Sequence, residues 1–258
     1  MKIVRVFFRG IYNVYAGVIF LSILLLLFPI ILSSVFLNKN KRGNFIYNIS
    51  RFAIDMLFLF WGMPHQNIFE YPHDPAQPVI FVFNHISYLD ALVIVKSIRK
   101  QHFRGLGKFE ASKIPVLGFI YKSAVITVKR SDAADRARSL VDLKNAISQN
   151  ISIALAPEGT FNETDEPLIR FYDGAFKIAI ETQTPIKPIL FLDTFDRMSY
   201  KNYFPLTPGS SRTVFLQEIS VKGLTMEDLP FLKETVYSIM EKSLIKYQAN
   251  WIKNITVE

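Results

Sequence analysis

A histidine and an aspartate stand five residues apart in Asn84-His85-Ile86-Ser87-Tyr88-Leu89-Asp90, directly after the apolar run Val79-Ile80-Phe81-Val82-Phe83. An imidazole titrates near neutral pH and can take a proton from an alcohol when a carboxylate holds its other nitrogen. On one ideal helix two side chains five apart would point about 140° away from each other, at ~3.6 residues per turn. They meet only if His85 lies in the loop and Asp90 in the first turn, and Ser87 is a good residue to begin that turn. The same residues also read as a plain helix start, with Asp90 the acidic partner of a Ser87 cap and His85 an ordinary loop residue. On spacing alone both readings stand.

A second polar cluster, Ala156-Pro157-Glu158-Gly159-Thr160, again follows an apolar run. A carboxylate, a glycine and a hydroxyl at a strand end can position a polar headgroup, although such a turn is commonly structural. Lys129 and Arg130 end the apolar run before it, where a cation could meet a phosphate or simply face water. Arg170 and Lys177 bracket Asp173-Gly174, where helix capping is the plainer account. Other chemistries lack their parts. The chain has no cysteine, and its four histidines, His65, His73, His85 and His102, are not paired at metal-ligand spacing, so no metal site is expected. There is no Gly-x-Ser-x-Gly elbow, P-loop or Gly-x-Gly-x-x-Gly fingerprint. Gly105-Leu106-Gly107-Lys108 is too short a fragment to serve as one.

The elements that must position these residues follow an α/β rhythm after His65. Strands are expected at 78–83, 124–128, 151–155, 186–192 and 213–221, and helices at 87–98, 114–122, 132–149, 174–182 and 226–251. Gly105 and Gly107 are expected in a loop. Strands alternating with helices imply a mostly parallel central sheet covered by helices on both faces, and in such sheets ligands bind at the carboxyl ends of strands.

The N-terminal quarter is different. Of 258 residues with a net charge of +8, residues 1–54 hold seven basic side chains (Lys2, Arg5, Arg9, Lys39, Lys41, Arg42, Arg51) and no acid, leaving 23 basic and 22 acidic groups for the rest. From Gly10 to Asn38 no residue is charged; as a helix this stretch would measure about 44 Å against a hydrocarbon core of about 30 Å. It is expected in a bilayer. Pro29 should kink or break the helix, giving either one tilted span or a re-entrant hairpin, and the basic flanks on both sides fit two ends on one anionic leaflet. The next stretch, 45–63, reads as an interfacial helix with Trp61 at headgroup level. Residues 1–64 thus form a membrane-embedded segment and 65–258 an α/β domain. The near-neutral charge of the latter argues against a nucleic-acid partner.

With these motifs assembled, the chain resembles the glycerolipid acyltransferases. Asn84-His85-x-Ser87-x-x-Asp90 matches the family's His-x4-Asp block. Lys108-x-Glu110 with Ile114-Pro115-x-x-Gly118 is similar to the segment before the second block, Val125-Ile126-x-Val128-x-Arg130 to the second, Pro157-Glu158-Gly159-Thr160 to the third, and Thr184-Pro185-Ile186-x-Pro188 to the fourth. The resemblance covers roughly residues 78–192. It implies an acyltransferase in which His85 is the general base and Asp90 its orienting partner. Arg130, Glu158 and Gly159 then shape the acceptor's phosphate site, with Asn84, Ser87, Lys108, Thr160, Arg170 and Lys177 as further substrate-binding candidates. Backbone N–H groups at the start of the Ser87 helix are expected to stabilise the oxyanion.

The implied reaction carries an acyl group from an acyl carrier protein or coenzyme A thioester to the free hydroxyl of 1-acyl-glycerol-3-phosphate, with no cofactor and no metal. Implied partners are membrane lipids and the anionic bilayer surface, at the inner (cytoplasmic) membrane with the catalytic domain on the cytoplasmic side. The family usually carries an arginine after Gly-Thr in its third block, whereas Phe161 stands here. A different lysolipid acceptor is therefore an alternative, and a non-catalytic lipid-binding protein is another.

Overall fold

The computed structural model describes residues 2–203 and 205–253. Most of the uncharged stretch, with the basic residues before it, forms α1 (Lys2–Ser33), and after a short 3-10 turn at Ser34–Phe36 the chain returns as α2 (Lys39–Phe60). Pro29 does not end α1, which runs on for four residues beyond it. So close to the terminus the proline forfeits one backbone bond, to the Leu25 carbonyl, and the turn at Ser34 completes the hairpin.

Seven strands follow: β1 (His65–Phe69), β2 (Ile80–Phe83), β3 (Phe103–Lys108), β4 (Val125–Val128), β5 (Ser152–Leu155), β6 (Ile186–Phe191) and β7 (Ser211–Phe215). They form one sheet in the order β1-β7-β6-β2-β5-β3-β4, parallel throughout except where β6 meets β7. Between them lie α3 (Asp90–Ser97), α4 (Leu117–Ala124), α5 (Ala133–Ser148), α6 (Gly174–Thr182), α7 (Thr194–Arg197) and the closing α8 (Leu229–Lys246). The expected α/β class with a mostly parallel sheet is what the chain adopts.

Alternation along the strands divides the core into two layers. Ile80, Val82, Ile153, Leu155, Ile186 and Leu190 pack with Phe176 of α6 and Val236, Met240 and Leu244 of α8. Phe81, Ala154, Ile189, Phe191 and Phe215 face the opposite way, against Val93 and Ile94 of α3 and Ile54, Leu57 and Phe58 of α2. α1 lies outside α2 and is bound to the body by polar contacts. Asn13 Nδ2 donates to Leu206 O (3.0 Å) and Leu206 N–H donates to Asn13 Oδ1 (3.0 Å). Tyr12 donates to Trp61 O (2.6 Å). The other side of α1 presents Phe7, Phe8, Ile11, Val14, Val18, Leu21, Leu25 and Leu26 to the surroundings, a continuous apolar face of the kind that belongs against lipid.

Several expectations change. Trp61 does not face outward as an interfacial aromatic would: it is buried and donates its indole N–H to Ala16 O (3.1 Å), stitching α1 to α2. Gly105 and Gly107 lie in β3 rather than in a loop; at Gly107 the Tyr121 hydroxyl occupies the space a Cβ would need, so that glycine marks a close approach, not a turn. The 87–98 helix begins at Asp90, the strand expected to end at 221 ends at Phe215, and the closing helix is shorter at both ends. β1 has no counterpart in the apolar pattern, since His-Gln-Asn-Ile-Phe is a half-polar edge strand.

His65 opens that strand inside a polar network. Its Nδ1 meets Ser211 Oγ (3.0 Å) and its Nε2 meets Asn67 Oδ1 (2.9 Å), while burial pushes its titration down to about 4. A histidine held neutral in the fold contributes stability that is present above its unfolded value, near 6.5, and is lost as pH falls through that value toward 4. Thermal unfolding of the wild type should therefore weaken over pH 6.5 to 4 by on the order of 2 kcal/mol more than that of His65→Gln. Equal pH dependence in the two proteins would remove His65 as the cause.

Candidate active site

β2 ends at Phe83, and the chain then makes the turn that carries His85. Asn84 fixes where the turn begins. Its amide donates to Phe191 O (3.1 Å) and accepts from Phe191 N–H (2.8 Å), clamping the end of β2 to the end of β6. Asn84 is buried and both its polar atoms are occupied, so it supports the site and does not reach a headgroup. Ser87 is likewise internal: its Oγ donates to Met198 O (2.7 Å) and accepts from Leu89 N–H (3.1 Å).

His85 and Asp90 meet. Nδ1 of the imidazole lies 2.9 Å from Asp90 Oδ2, with the carboxylate fully buried and the imidazole side chain 27% exposed. The same Oδ2 accepts the N–H groups of Ile86 (2.8 Å) and Ser87 (2.9 Å). The two readings of the spacing are thus both realised by one oxygen, which closes the turn and orients the ring. Because Nδ1 faces a carboxylate it carries the proton, and the neutral ring keeps its lone pair on Nε2. Most of the N–H groups expected to form an oxyanion cradle are engaged. The N–H groups of Ile86, Ser87 and Leu89 are already bonded within the turn, and that of Asp90 bonds Ser87 O (3.2 Å).

Glu158 reaches the same turn from the end of β5. Oε1 accepts from His85 N–H (2.8 Å) and Oε2 from Ile169 N–H (3.1 Å). Burial pushes this carboxyl up to about 8 and the Asp90 charge adds to that, while the two N–H bonds pull the other way. Glu158 is 1% exposed; it positions the backbone of the base rather than touching an acceptor. Gly159 adopts φ +67° with Tyr172 packed so that a Cβ would strike its ring, and only glycine meets both demands at low cost. Arg170 stacks its guanidinium over Tyr172 at 5.3 Å, which brings one cation beside Gly159.

The remaining candidates are exposed. Lys108 ends β3, Arg130 follows β4 and Thr160 follows Gly159. Parallel registers put the ends of β2, β3, β4 and β5 on one edge of the sheet, so all three share the edge that bears His85. Lys177 lies on the exposed side of α6, one turn after Asp173.

Two contacts were not visible in the sequence. Asn162, buried, donates its backbone N–H to His85 O (2.7 Å). Phe161 lies against the imidazole, ring centroids 4.3 Å apart. Phe161 had been marked only as a departure from a pattern, and nothing local pointed to Asn162.

An imidazole held by a buried carboxylate, with a free Nε2 at the carboxyl edge of a parallel sheet, is equipment for removing a proton from a hydroxyl. Known proteins agree with that class. The acyltransferase family model matches residues 63–192, and the chain belongs to this family. The human 1-acyl-sn-glycerol-3-phosphate acyltransferase beta is 27% identical over 172 residues, covering 66% of this chain and 61% of that protein. The mouse alpha enzyme is 28% identical over 164 residues, covering 63% and 57%. The chain thus spans about three fifths of these relatives' length. The crystal structure of the 1-acyl-sn-glycerophosphate acyltransferase PlsC from Thermotoga maritima superposes with a TM-score of 0.71 at 20% identity, over 95% of this chain and all of that one, so the two share a fold.

Two substitutions separate the roles in this site. Asp90→Asn should lower turnover by on the order of 10³-fold while the protein still folds, since an amide no longer enforces the tautomer. Asn84→Ala should cost about 2–4 kcal/mol in denaturant unfolding, because Phe191 N–H is left buried without its acceptor. A stability change below 1 kcal/mol there would show that the clamp is dispensable.

Proposed function

We propose that this protein transfers a fatty acyl group from an acyl thioester to the free hydroxyl of 1-acyl-sn-glycerol-3-phosphate, giving phosphatidic acid. The observation that carries this reading is the His85–Asp90 pair, 2.9 Å apart with the carboxylate buried. His85 Nε2 takes the proton of the acceptor hydroxyl as its oxygen attacks the thioester carbonyl. The C–S bond then breaks and the departing thiolate takes the proton from the imidazolium. Each step is assigned to groups of this chain and the two substrates.

The lysophosphatidate acceptor is supported by the activity named for the similar human and mouse proteins. Lys108, Arg130 and Arg170 are the cations proposed to meet its phosphate, and Thr160 is a further contact at the same edge. Acyl carrier protein and coenzyme A thioesters both satisfy the donor chemistry. The apolar face of α1 and the basic residues flanking it support a seat on an anionic leaflet; the cytoplasmic side of the inner membrane is proposed from the family resemblance alone. One observation favours a second reading of the acceptor. Phe161 lies on the His85 ring at the position where the resemblance to the family leads one to expect an arginine, so a lysolipid whose headgroup does not rely on a cation there fits as well.

Purified protein in anionic vesicles, assayed with a panel of lysolipids against both thioesters, tests the reaction. His85→Ala should abolish transfer and leave vesicle binding intact. Retained turnover in that variant would falsify the general-base assignment. Phe161→Arg should raise the preference for lysophosphatidate over lysophosphatidylcholine, and an unaltered acceptor profile would show that residue 161 does not face the headgroup.

A further inference from the structure

His85 is enclosed by more than its carboxylate. The Phe161 ring lies across it at 4.3 Å between centroids, with the planes inclined by 53°. Tyr88 meets Phe161 edge-on at 4.7 Å and 82°. On another side Phe83 stands edge-on to the imidazole at 6.2 Å and 85°. The Phe161 contact is built into the chain path, because the next residue, Asn162, gives its backbone N–H to the carbonyl of His85 itself (2.7 Å). Asn162 is in turn fixed by its side chain, which donates to Glu166 O (2.8 Å) and accepts from Thr164 N–H (2.9 Å). The ring is therefore held against the base by a backbone hydrogen bond and a buried asparagine.

A base that takes a hydroxyl proton becomes a cation for the lifetime of the tetrahedral species. A cation within about 6 Å of an aromatic centroid is attracted by the negative face of the ring, and more strongly where water is excluded. An arginine at position 161 would do the reverse, setting a second positive charge beside the imidazolium. The titratable groups bonded to His85 are Asp90 from the start of α3, at the imidazole Nδ1, and Glu158 from the turn after β5, at its backbone N–H, the latter a carboxyl that burial pushes up to about 8.

We propose that Phe161 is a positioning residue whose ring face stabilises the protonated form of His85 during acyl transfer. The proposal rests on the reading of His85 as the general base. In the step concerned the acceptor O–H bond breaks, Nε2 gains the proton, the acceptor oxygen bonds the thioester carbon, and the proton leaves again with the thiolate. The aromatic ring exchanges nothing; it lowers the energy of the charged intermediate form.

A merely apolar cover would have the opposite sign, since excluding water without supplying a π face disfavours the imidazolium. That difference makes the test decisive. Full-length protein in detergent micelles, labelled at the histidine rings, is titrated by NMR as wild type, Phe161→Leu, Phe161→Trp and Phe161→Ala, with circular dichroism confirming that each is folded. Leucine keeps an apolar cover and removes the π system. With Phe161→Leu the His85 resonances should titrate about half to one pH unit lower than in the wild type, and with Phe161→Trp no lower than in the wild type. In the acyl-transfer assay the Leu variant should lose about threefold to tenfold in kcat, with an acceptor KM within twofold and the acid limb of the pH profile moved to lower pH. An unchanged or higher midpoint for Phe161→Leu, or a higher one for Phe161→Ala, overturns the proposal. The NMR titration needs no turnover, so it gives its answer even if the acyltransferase reading fails, and the two failures remain distinct.

Discussion

One oxygen atom organises this protein's functional end. Oδ2 of Asp90 receives three donors, the imidazole of His85 and the backbone N–H groups of Ile86 and Ser87, from a carboxylate with no exposure to water. A buried carboxylate is costly unless donors surround it, and charge-assisted bonds of this kind are the strong ones. Closing the turn and aiming the base are consequently a single event. The turn cannot relax without releasing the imidazole, and the imidazole cannot swing away without leaving the turn's carboxylate under-bonded. Around this atom the supports are graded by distance. Glu158 holds the backbone of His85 to the segment at Ile169, Asn162 holds its carbonyl, and Asn84 ties the strand before it to β6.

That arrangement explains why buried polar residues gather here. Asn84, Ser87, Asp90, Glu158 and Asn162 are all nearly or wholly inaccessible. Each would destabilise the core if left wholly unpaired; Asn84, Ser87 and Glu158 bond backbone groups of neighbouring segments, while Asp90 and the Asn162 side chain bond within their own turns. The strand ends β2, β5 and β6 are thereby registered to one another by side chains as well as by the sheet ladder. Residues that reach outward from the same edge, Lys108, Arg130, Thr160 and Arg170, are by contrast exposed. The division of labour between inner supports and outer contacts follows burial, not residue type, since both sets contain charged groups.

Much of this was legible in the amino-acid sequence, and the reasons differ by element. Central strands such as β2, β5 and β6 are short apolar runs buried on both faces, a signal periodicity detects. β1 escaped because its polar residues are satisfied by partners distant in sequence, His65 by Ser211 and Asn67 by Ser97 O. β3 escaped because its glycines look like a loop, and only the arrival of Tyr121 shows why a side chain is excluded. The His85–Asp90 pairing was one of two readings the spacing left open, whereas the inward roles of Asn84, Ser87 and Glu158 were not among them. A motif shows which residues cluster at a strand end; it does not show which of them point into the protein. Trp61 was misplaced for a related reason, as an interfacial aromatic and a helix-packing aromatic have the same composition around them.

The docking of α1 has a consequence for how such a site meets lipid. Asn13 bonds Leu206 in both directions, and Tyr12 and Trp61 join α1 to the end of α2, so the apolar helix is tied to the α/β body at fixed points. With α1 seated in a bilayer as proposed, the height of the imidazole would be set by these contacts, not by the wandering of a tethered domain. A site held at constant height samples a plane. On the proposed acyltransferase reading, the concentration such a site would respond to is the mole fraction of acceptor in the leaflet, with encounters governed by lateral diffusion of lipids.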